Sequence, residues 1–439
     1  MQASNSTYYL SPIIQFIRKS SLSSLLLFVS ALSALIIANT SWHETMQAVL
    51  DQNIGFTVGQ FSVYKPLLLW INDGLMSIFF FVVGLELKRE IIAGELSNPA
   101  NVMMPILGAV GGMILPAVIY TIVNATSSED ALNGWGIPMA TDIAFALGVL
   151  YLLGPKVPIQ LKVFLTALAI IDDLGAVLVV AFFYTSDVSL GNLLLGASIL
   201  GLMFTLNRLG VRNVLIYALL GIGGVWLAFL LSGVHATIAA VLSAFAIPST
   251  RAINKESFVL DINRLTTLFK RANKSEKEQF LLSADEENII GEIKRISNAS
   301  ISPLQRLEHA MHPIVVYLVM PIFALANAGV VIDANWIDIL LSPVSMGVIF
   351  GLILGKVLGI FGLSMLGVKL GLFELPENLT KPMVLGVSFL AAIGFTMSLF
   401  INSLAFDNEL YVEQAKMGVL FASLIAGLTG FVILKRALK

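Results

Sequence analysis

The sequence predicts an all-α integral membrane protein of twelve transmembrane helices, two of them interrupted. Three observations carry this expectation: composition, the spacing of apolar runs, and the sorting of basic residues along the chain. Hydrophobic residues make up 57% of the 439 positions and charged residues only 12%. A soluble domain carries about 25% charged residues, so much of this chain must face hydrocarbon. The formal net charge of −2 matters less than where the charges lie.

The first 20 residues are polar and carry Arg18 and Lys19 ahead of an apolar run. No small-residue cleavage site follows that run near Asn39, so it is expected to be the first membrane helix and not a signal peptide. Crossing the hydrocarbon takes ~20 predominantly apolar residues. Such runs fall at 22–39, 66–87, 103–123, 134–153, 158–183, 190–207, 213–231, 234–248, 312–330, 343–367, 383–405 and 414–434. With the N-terminus inside, 23 of the 26 Lys and Arg fall on cytoplasmic segments, ten of them between Arg251 and Arg306. Lys65 and Lys416 fall outside, and Lys356 lies within a span. The opposite loops are acidic or neutral, with Glu129, Asp130, Asp187, Asp333, Asp338 and Asp407. Basic residues collect on the cytoplasmic side of membrane proteins. Both termini are therefore expected in the cytoplasm.

Two excursions from the membrane stand out. Residues 53–64 alternate Ile54, Phe56 and Val58 with Phe61 and Val63 across a Gly59-Gln60 break. That pattern suits a small outer-face β-hairpin, and equally an ordinary loop. The stretch 249–305 is charged, with blocks such as Lys270-Arg271-Ala272-Asn273-Lys274 and Asp285-Glu286-Glu287. It is expected to be a solvated or partly helical cytoplasmic insert, since no recognisable site occurs in it. The rest, over 1–439, reads as one transporter domain.

Spans 4 and 11 share a pattern. Gly136 and Pro138 precede Thr141, and Gly394 precedes Thr396; each Thr is followed four residues later by Phe, at Phe145 and Phe400. Interrupted helices at corresponding positions of two halves point to a midplane site in a transporter built from inverted repeats. The candidate repeats are spans 3–5 and 10–12.

Depth singles out four residues. Asp172 and Asp173 sit near the centre of 158–183, Asp142 near the middle of 134–153, and Lys356 in the middle of 343–367. At ~1.5 Å per residue all four share one level of the membrane. Four isolated charges at ~3 kcal/mol each would cost on the order of 12 kcal/mol in lipid; clustered, they can pair, bind a cation or stay protonated. A purely structural Lys–Asp pair explains one carboxylate and leaves two over. Adjacent helical residues point about 100° apart, so one aspartate can meet Lys356 while the other joins Asp142. Pro138 should unwind the backbone near Thr141, adding hydroxyl and carbonyl oxygens to a site that suits a hard cation. Two close carboxylates in a partly dry cavity resist ionisation through desolvation and repulsion, so protons and a cation compete for the same oxygens. That competition is exchange.

Here the chain resembles a known family, the bacterial Na⁺/H⁺ antiporters of the NhaA type. The resemblance rests on Met139-Ala140-Thr141-Asp142-Ile143-Ala144-Phe145-Ala146-Leu147-Gly148 and Ala169-Ile170-Ile171-Asp172-Asp173-Leu174-Gly175-Ala176. It extends to Val83–Glu90, Ser232–Thr237, Arg306-Leu307-Glu308-His309, Gly355–Ile360 and Gly394–Ser398. It departs at about 250–302, where the insert is longer than in the best-known members. The resemblance implies that Asp173 and Asp142 hold Na⁺ or Li⁺ with Thr141 nearby where the two broken helices cross, in a bacterial inner membrane, and that Asp172 pairs with Lys356, which can itself take part in proton release. It implies two protons per Na⁺, hence electrogenic exchange, and activation at alkaline pH through Glu86, Arg89, Glu90, Glu308, His309 and His312. It also implies a homodimer formed through an outer-face hairpin, matching 53–64. No cofactor is expected, since Na⁺, Li⁺ and H⁺ are substrates, and no nucleic-acid partner.

Plainer explanations stay open for several of these residues. Glu86 and Glu90, beside Lys88 and Arg89, are ordinary interfacial acids, and histidines such as His309 and His312 at a helix entry are commonplace although they titrate in the right range. His235 can pack helices or respond to pH. Asp73, inside span 2, can be structural or lie on the ion path. Among other functions, a channel would show repeated rings of carbonyls or charges, which this chain lacks. An intramembrane aspartyl protease would carry a Gly-Asp signature, absent here. A proton-coupled transporter of another small solute is the remaining alternative.

Overall fold

The structure, a computed structural model, describes residues 12–58, 61–97, 99–185, 188–272, 282–332, 334–376 and 378–439. The Gly59-Gln60 break, Asp187, Asp333 and the Asn273-Lys274 end of the basic block lie outside the described residues. Omitting one-turn pieces, the chain opens with α1 (Pro12–Ala38), α2 (His43–Leu50), β1 (Asn53–Val58) and β2 (Phe61–Pro66). Then come α3 (Leu67–Ala93), α4 (Pro99–Val123), α5 (Glu129–Met139), α6 (Ile143–Leu152), α7 (Ile159–Phe183) and α8 (Leu190–Arg208). These are followed by α9 (Val214–Leu230), α10 (Ala236–Ala246), α11 (Lys255–Ala272), α12 (Ala284–Ser300) and α13 (Pro303–Asn327). The last are α14 (Pro343–Lys369), α15 (Lys381–Ala391), α16 (Phe395–Ala405) and α17 (Glu409–Ala437).

Seven helices, α3, α4, α7, α8, α13, α14 and α17, are each long and apolar enough to cross a membrane. Three pairs qualify only when joined across a bend: the 22–38 part of α1 with α2 (111°), α5 with α6 (42°) and α15 with α16 (43°). The chain is thus a multi-pass helical membrane protein, with seven to ten spans by length among the described residues. The segments expected at 213–231 and 234–248 form α9 and α10, which fall short of that length. The reason is local. Gly233, at φ 81°, takes a left-handed conformation that suits a residue without a Cβ, and it ends α9 sharply against α10. Ile247-Pro248 then closes α10, because a residue before proline is pushed out of helical geometry.

β1 and β2 pair antiparallel in register from Asn53↔Pro66 to Val58↔Phe61. Within 249–305, α11 packs on α12, whose first turn carries a capping box between Ser283 and Glu286. The base of this helical hairpin is tied by Ala252 N and Ile253 N donating to Ala299 O, and Leu304 N to Pro248 O.

Small residues position the site. Gly111 on α4 and Gly359 on α14 meet backbone to backbone, and a Cβ on either would enter the other's carbonyl. Gly355 likewise lies on Pro116, and Gly351 on Pro138 of α5. Small residues four apart let membrane helices approach closely, and this seam brings Lys356 inward. A wide i→i+5 turn over Gly351–Lys356 ends at that lysine; such turns re-aim side chains and occur often at functional positions.

Candidate functional site

Helix breaks cost free energy because they free backbone donors and acceptors where no water can satisfy them. In α5 the residues Asn133–Met139 are wound as a tight i→i+3 helix containing Pro138, and Ala140 and Asp142 are extended before α6 begins. In the other pair, residues 392–394 separate α15 from α16. The two breaks satisfy each other. Asp142 N donates to Ile393 O at 2.7 Å, and the Thr141 hydroxyl donates to Ala391 O at 2.8 Å. The Ser398 hydroxyl donates to Ile137 O at 2.7 Å.

Charge follows the same logic. A helix carries partial positive charge at its N-terminus and partial negative charge at its C-terminus. The fully buried Asp142 carboxylate sits at two N-termini at once: Oδ1 accepts from Phe145 N of α6 (3.0 Å), and Oδ2 accepts from Thr396 N of α16 (3.1 Å). The Thr396 hydroxyl donates to the same Oδ2 at 2.5 Å. At the opposite polarity, Lys356 Nζ donates to the carbonyl of Met139, the last residue of α5, and to Asp172 Oδ2 at 2.7 Å. Lys356 and Asp172 are both buried, and Asp172 also interacts with Thr141.

Asp173 differs from its neighbour. It is buried without an ion pair among the described residues, and its Oδ1, like Asp172 Oδ1, has no hydrogen-bond partner there. Its charged neighbours are Asp172, Lys356, Asp142 and Glu86. A buried carboxylate oxygen without a donor costs roughly 1–3 kcal/mol, more when charged. It is an oxygen ready to receive a proton or a cation. The four depth-matched residues thus lie in one buried cluster, with Asp172 ion-paired to Lys356 and Asp173 without an ion pair.

A second cluster lies at the insert-bearing end of α3 and α13. Arg89 bonds Glu308 at 2.6 Å and Glu90 at 2.7 Å, and His312 Nε2 lies 4.0 Å from Glu86 Oε1. His309 is exposed on α13. Lys88 caps the end of α10, its Nζ donating to Phe245 O at 2.7 Å and to the carbonyl of Ile247. His235 is not part of this cluster; its Nε2 bonds the carbonyl of Tyr184 at 2.7 Å, at the far end of α7. Asp73 is ion-paired with Lys65 at 2.9 Å.

Two participants escaped sequence reasoning. Thr396 carried a signal, the breaker–Thr–Phe pattern it shares with Thr141, yet depth matching counted charges only. The Met139 carbonyl carried none, because every residue has one.

Ionisable side chains buried where two broken helices meet, inside a bundle of apolar spans, define a multi-pass membrane protein with the architecture of a secondary transporter. The family described as Na⁺/H⁺ antiporter 1 matches residues 14–434, and the chain belongs to it. The Na(+)/H(+) antiporter NhaA of Oleidesulfovibrio alaskensis is 46% identical over 98% of this chain and 95% of its own length. The proteins of that name from Koribacter versatilis and Sulfurimonas denitrificans are each 45% identical, over 97% of this chain and 92% and 95% of their lengths.

Proposed function

We propose that the protein is an electrogenic antiporter that exchanges cytoplasmic Na⁺ or Li⁺ for external protons, two per cation, serving pH and sodium homeostasis. The observation that carries this reading is the pair of aspartates on α7: one ion-paired with Lys356, the other equally buried but without an ion pair among the described residues. Asp173 and Asp142 bind the cation, with Thr141 contributing neutral oxygen. Hard cations favour such oxygen sets. The empty site takes up protons, because carboxylates this dry are not left ionised without a counter-charge. Cation entry displaces them. Asp172 holds Lys356, and one of these two groups supplies a released proton. No resident cofactor has a role in this cycle, and no enzyme chemistry is needed.

The surrounding chain is assigned accordingly. Counting the three bent pairs and the shorter α9 and α10 together with the seven long helices gives twelve crossings, with inverted repeats in spans 3–5 and 10–12 and the two breaks crossing at mid-depth. Both termini and the 249–305 insert lie in the cytoplasm, and the protein resides in the bacterial inner membrane. Glu86, Arg89, Glu90, Glu308, His309 and His312 sense alkaline pH at the cytoplasmic entrance, with His235 contributing from the opposite end. Two copies associate through the β1–β2 hairpin.

Everted membrane vesicles with a pre-formed pH gradient test the exchange. Added Na⁺ or Li⁺ is expected to dissipate the gradient, and K⁺ much less. A gradient indifferent to Na⁺ and Li⁺ but collapsed by an organic solute would favour the alternative transporter.

A further inference from the structure

We infer that the Thr396 hydroxyl is a ligand of the transported cation and a determinant of which cation is preferred; this rests on the cation site proposed above. Each helix break carries one threonine whose hydroxyl reaches across to the other break. Thr141 donates to Ala391 O, and Thr396 donates to Asp142 Oδ2. Thr396 is fully buried, and among the described residues its hydroxyl takes part in a hydrogen bond only as a donor, to Asp142 Oδ2. A hydroxyl has one proton and two lone pairs. With the proton spent on Asp142, the lone pairs remain, 2.5 Å from the carboxylate oxygen that would hold the cation.

The hydroxyl is not needed to keep that carboxylate in place. Asp142 retains two backbone donors without it, Phe145 N on Oδ1 and Thr396 N on Oδ2. Deleting the hydroxyl therefore removes an oxygen from the cation's shell and leaves the carboxylate where it is. Arriving cations shed water, and each protein oxygen replaces part of that hydration. Charge–oxygen attraction rises as distance falls, so the smaller Li⁺ loses more than Na⁺ when one oxygen is taken away. The hydroxyl thus favours the smaller ion.

The experiment measures half-maximal Na⁺ and Li⁺ concentrations in everted vesicles for the native chain, Thr396→Val, Thr396→Ala and Thr396→Ser. Whichever of Val and Ala accumulates in the membrane is expected to raise the Na⁺ value about tenfold, the change from one lost interaction of ordinary strength, and the Li⁺ value more. Ser, which keeps the hydroxyl, stays within about threefold of native. The size of the cation-induced rise in unfolding temperature of the purified proteins should follow the same order. Unchanged half-maximal values in both hydroxyl-free variants, or a Ser variant as impaired as they are, would overturn the proposal. A native chain without any Na⁺ or Li⁺ response would instead overturn the exchange function itself.

Discussion

The buried cluster and the one at the insert-bearing end use the same chemical groups in opposite ways. At the centre, Lys356, Asp172 and Asp142 are fully buried and aligned with helix ends, cation to carbonyl end and carboxylate to amide end. At the other cluster, Arg89 is about 38% exposed and gathers Glu308 and Glu90 near His312 and Glu86. Burial makes the first cluster costly to leave unpaired. The second is graded, with Arg89 and His312 partly exposed and screened by water and salt while Glu308 is buried. The function proposed above gives the first the cation and the second the response to pH.

Neutralising the centre should therefore have the largest effect. Asp142→Asn or Asp173→Asn is expected to abolish the Na⁺-induced loss of a pH gradient in everted vesicles; a normal response in both would remove them from the cation site. Next comes the pair that balances charge. Asp172→Asn or Lys356→Met, measured by thermal unfolding of purified protein, should each destabilise by ~3–5 kcal/mol, the usual result of stranding a buried partner. The double variant should recover part of that loss, and strictly additive losses would argue against the pairing. Arg89→Ala should do something different: removing the guanidinium takes away the positive charge that favours ionisation of the buried Glu308. The activity–pH profile should move toward more alkaline values, with maximal exchange at saturating Na⁺ within about threefold of native. A collapse of maximal exchange with an unmoved profile would erase the distinction between the clusters. The smallest effect is expected at Glu292–Arg295, an exposed pair on α12. Such i,i+3 pairs contribute ~0.2–0.5 kcal/mol before screening, and Arg295→Ala should leave both stability and exchange unchanged.

Much of this organisation is legible in the sequence because hydrocarbon is an exacting solvent. Charges at mid-span are rare enough that Asp142, Asp172, Asp173 and Lys356 could be grouped by depth alone, before any contact was known. The class, a multi-pass helical protein of the Na⁺/H⁺ antiporter 1 family, was legible from hydropathy and from motifs such as Ala169–Gly175. Less legible was whatever depends on backbone. The wide turn at Gly351–Lys356 leaves no periodicity to read, and the shortness of α9 and α10 depends on a left-handed Gly233. Thr396 is uncharged, so the cost of burying charge in hydrocarbon gives no sign of the hydroxyl that bonds Asp142. Spacing could not tell whether Arg89 would reach Glu308, a contact 219 residues apart in sequence.

The central claim is that two adjacent aspartates divide the work, Asp173 binding the cation and Asp172 holding Lys356. Its most direct test is the rise in unfolding temperature that Na⁺ produces in purified protein, since a ligand stabilises the form it binds. Asp172→Asn should unfold at a lower temperature than the native chain and still gain stability from Na⁺, whereas Asp173→Asn should gain none. A Na⁺-dependent rise retained in Asp173→Asn and lost in Asp172→Asn would contradict the assignment.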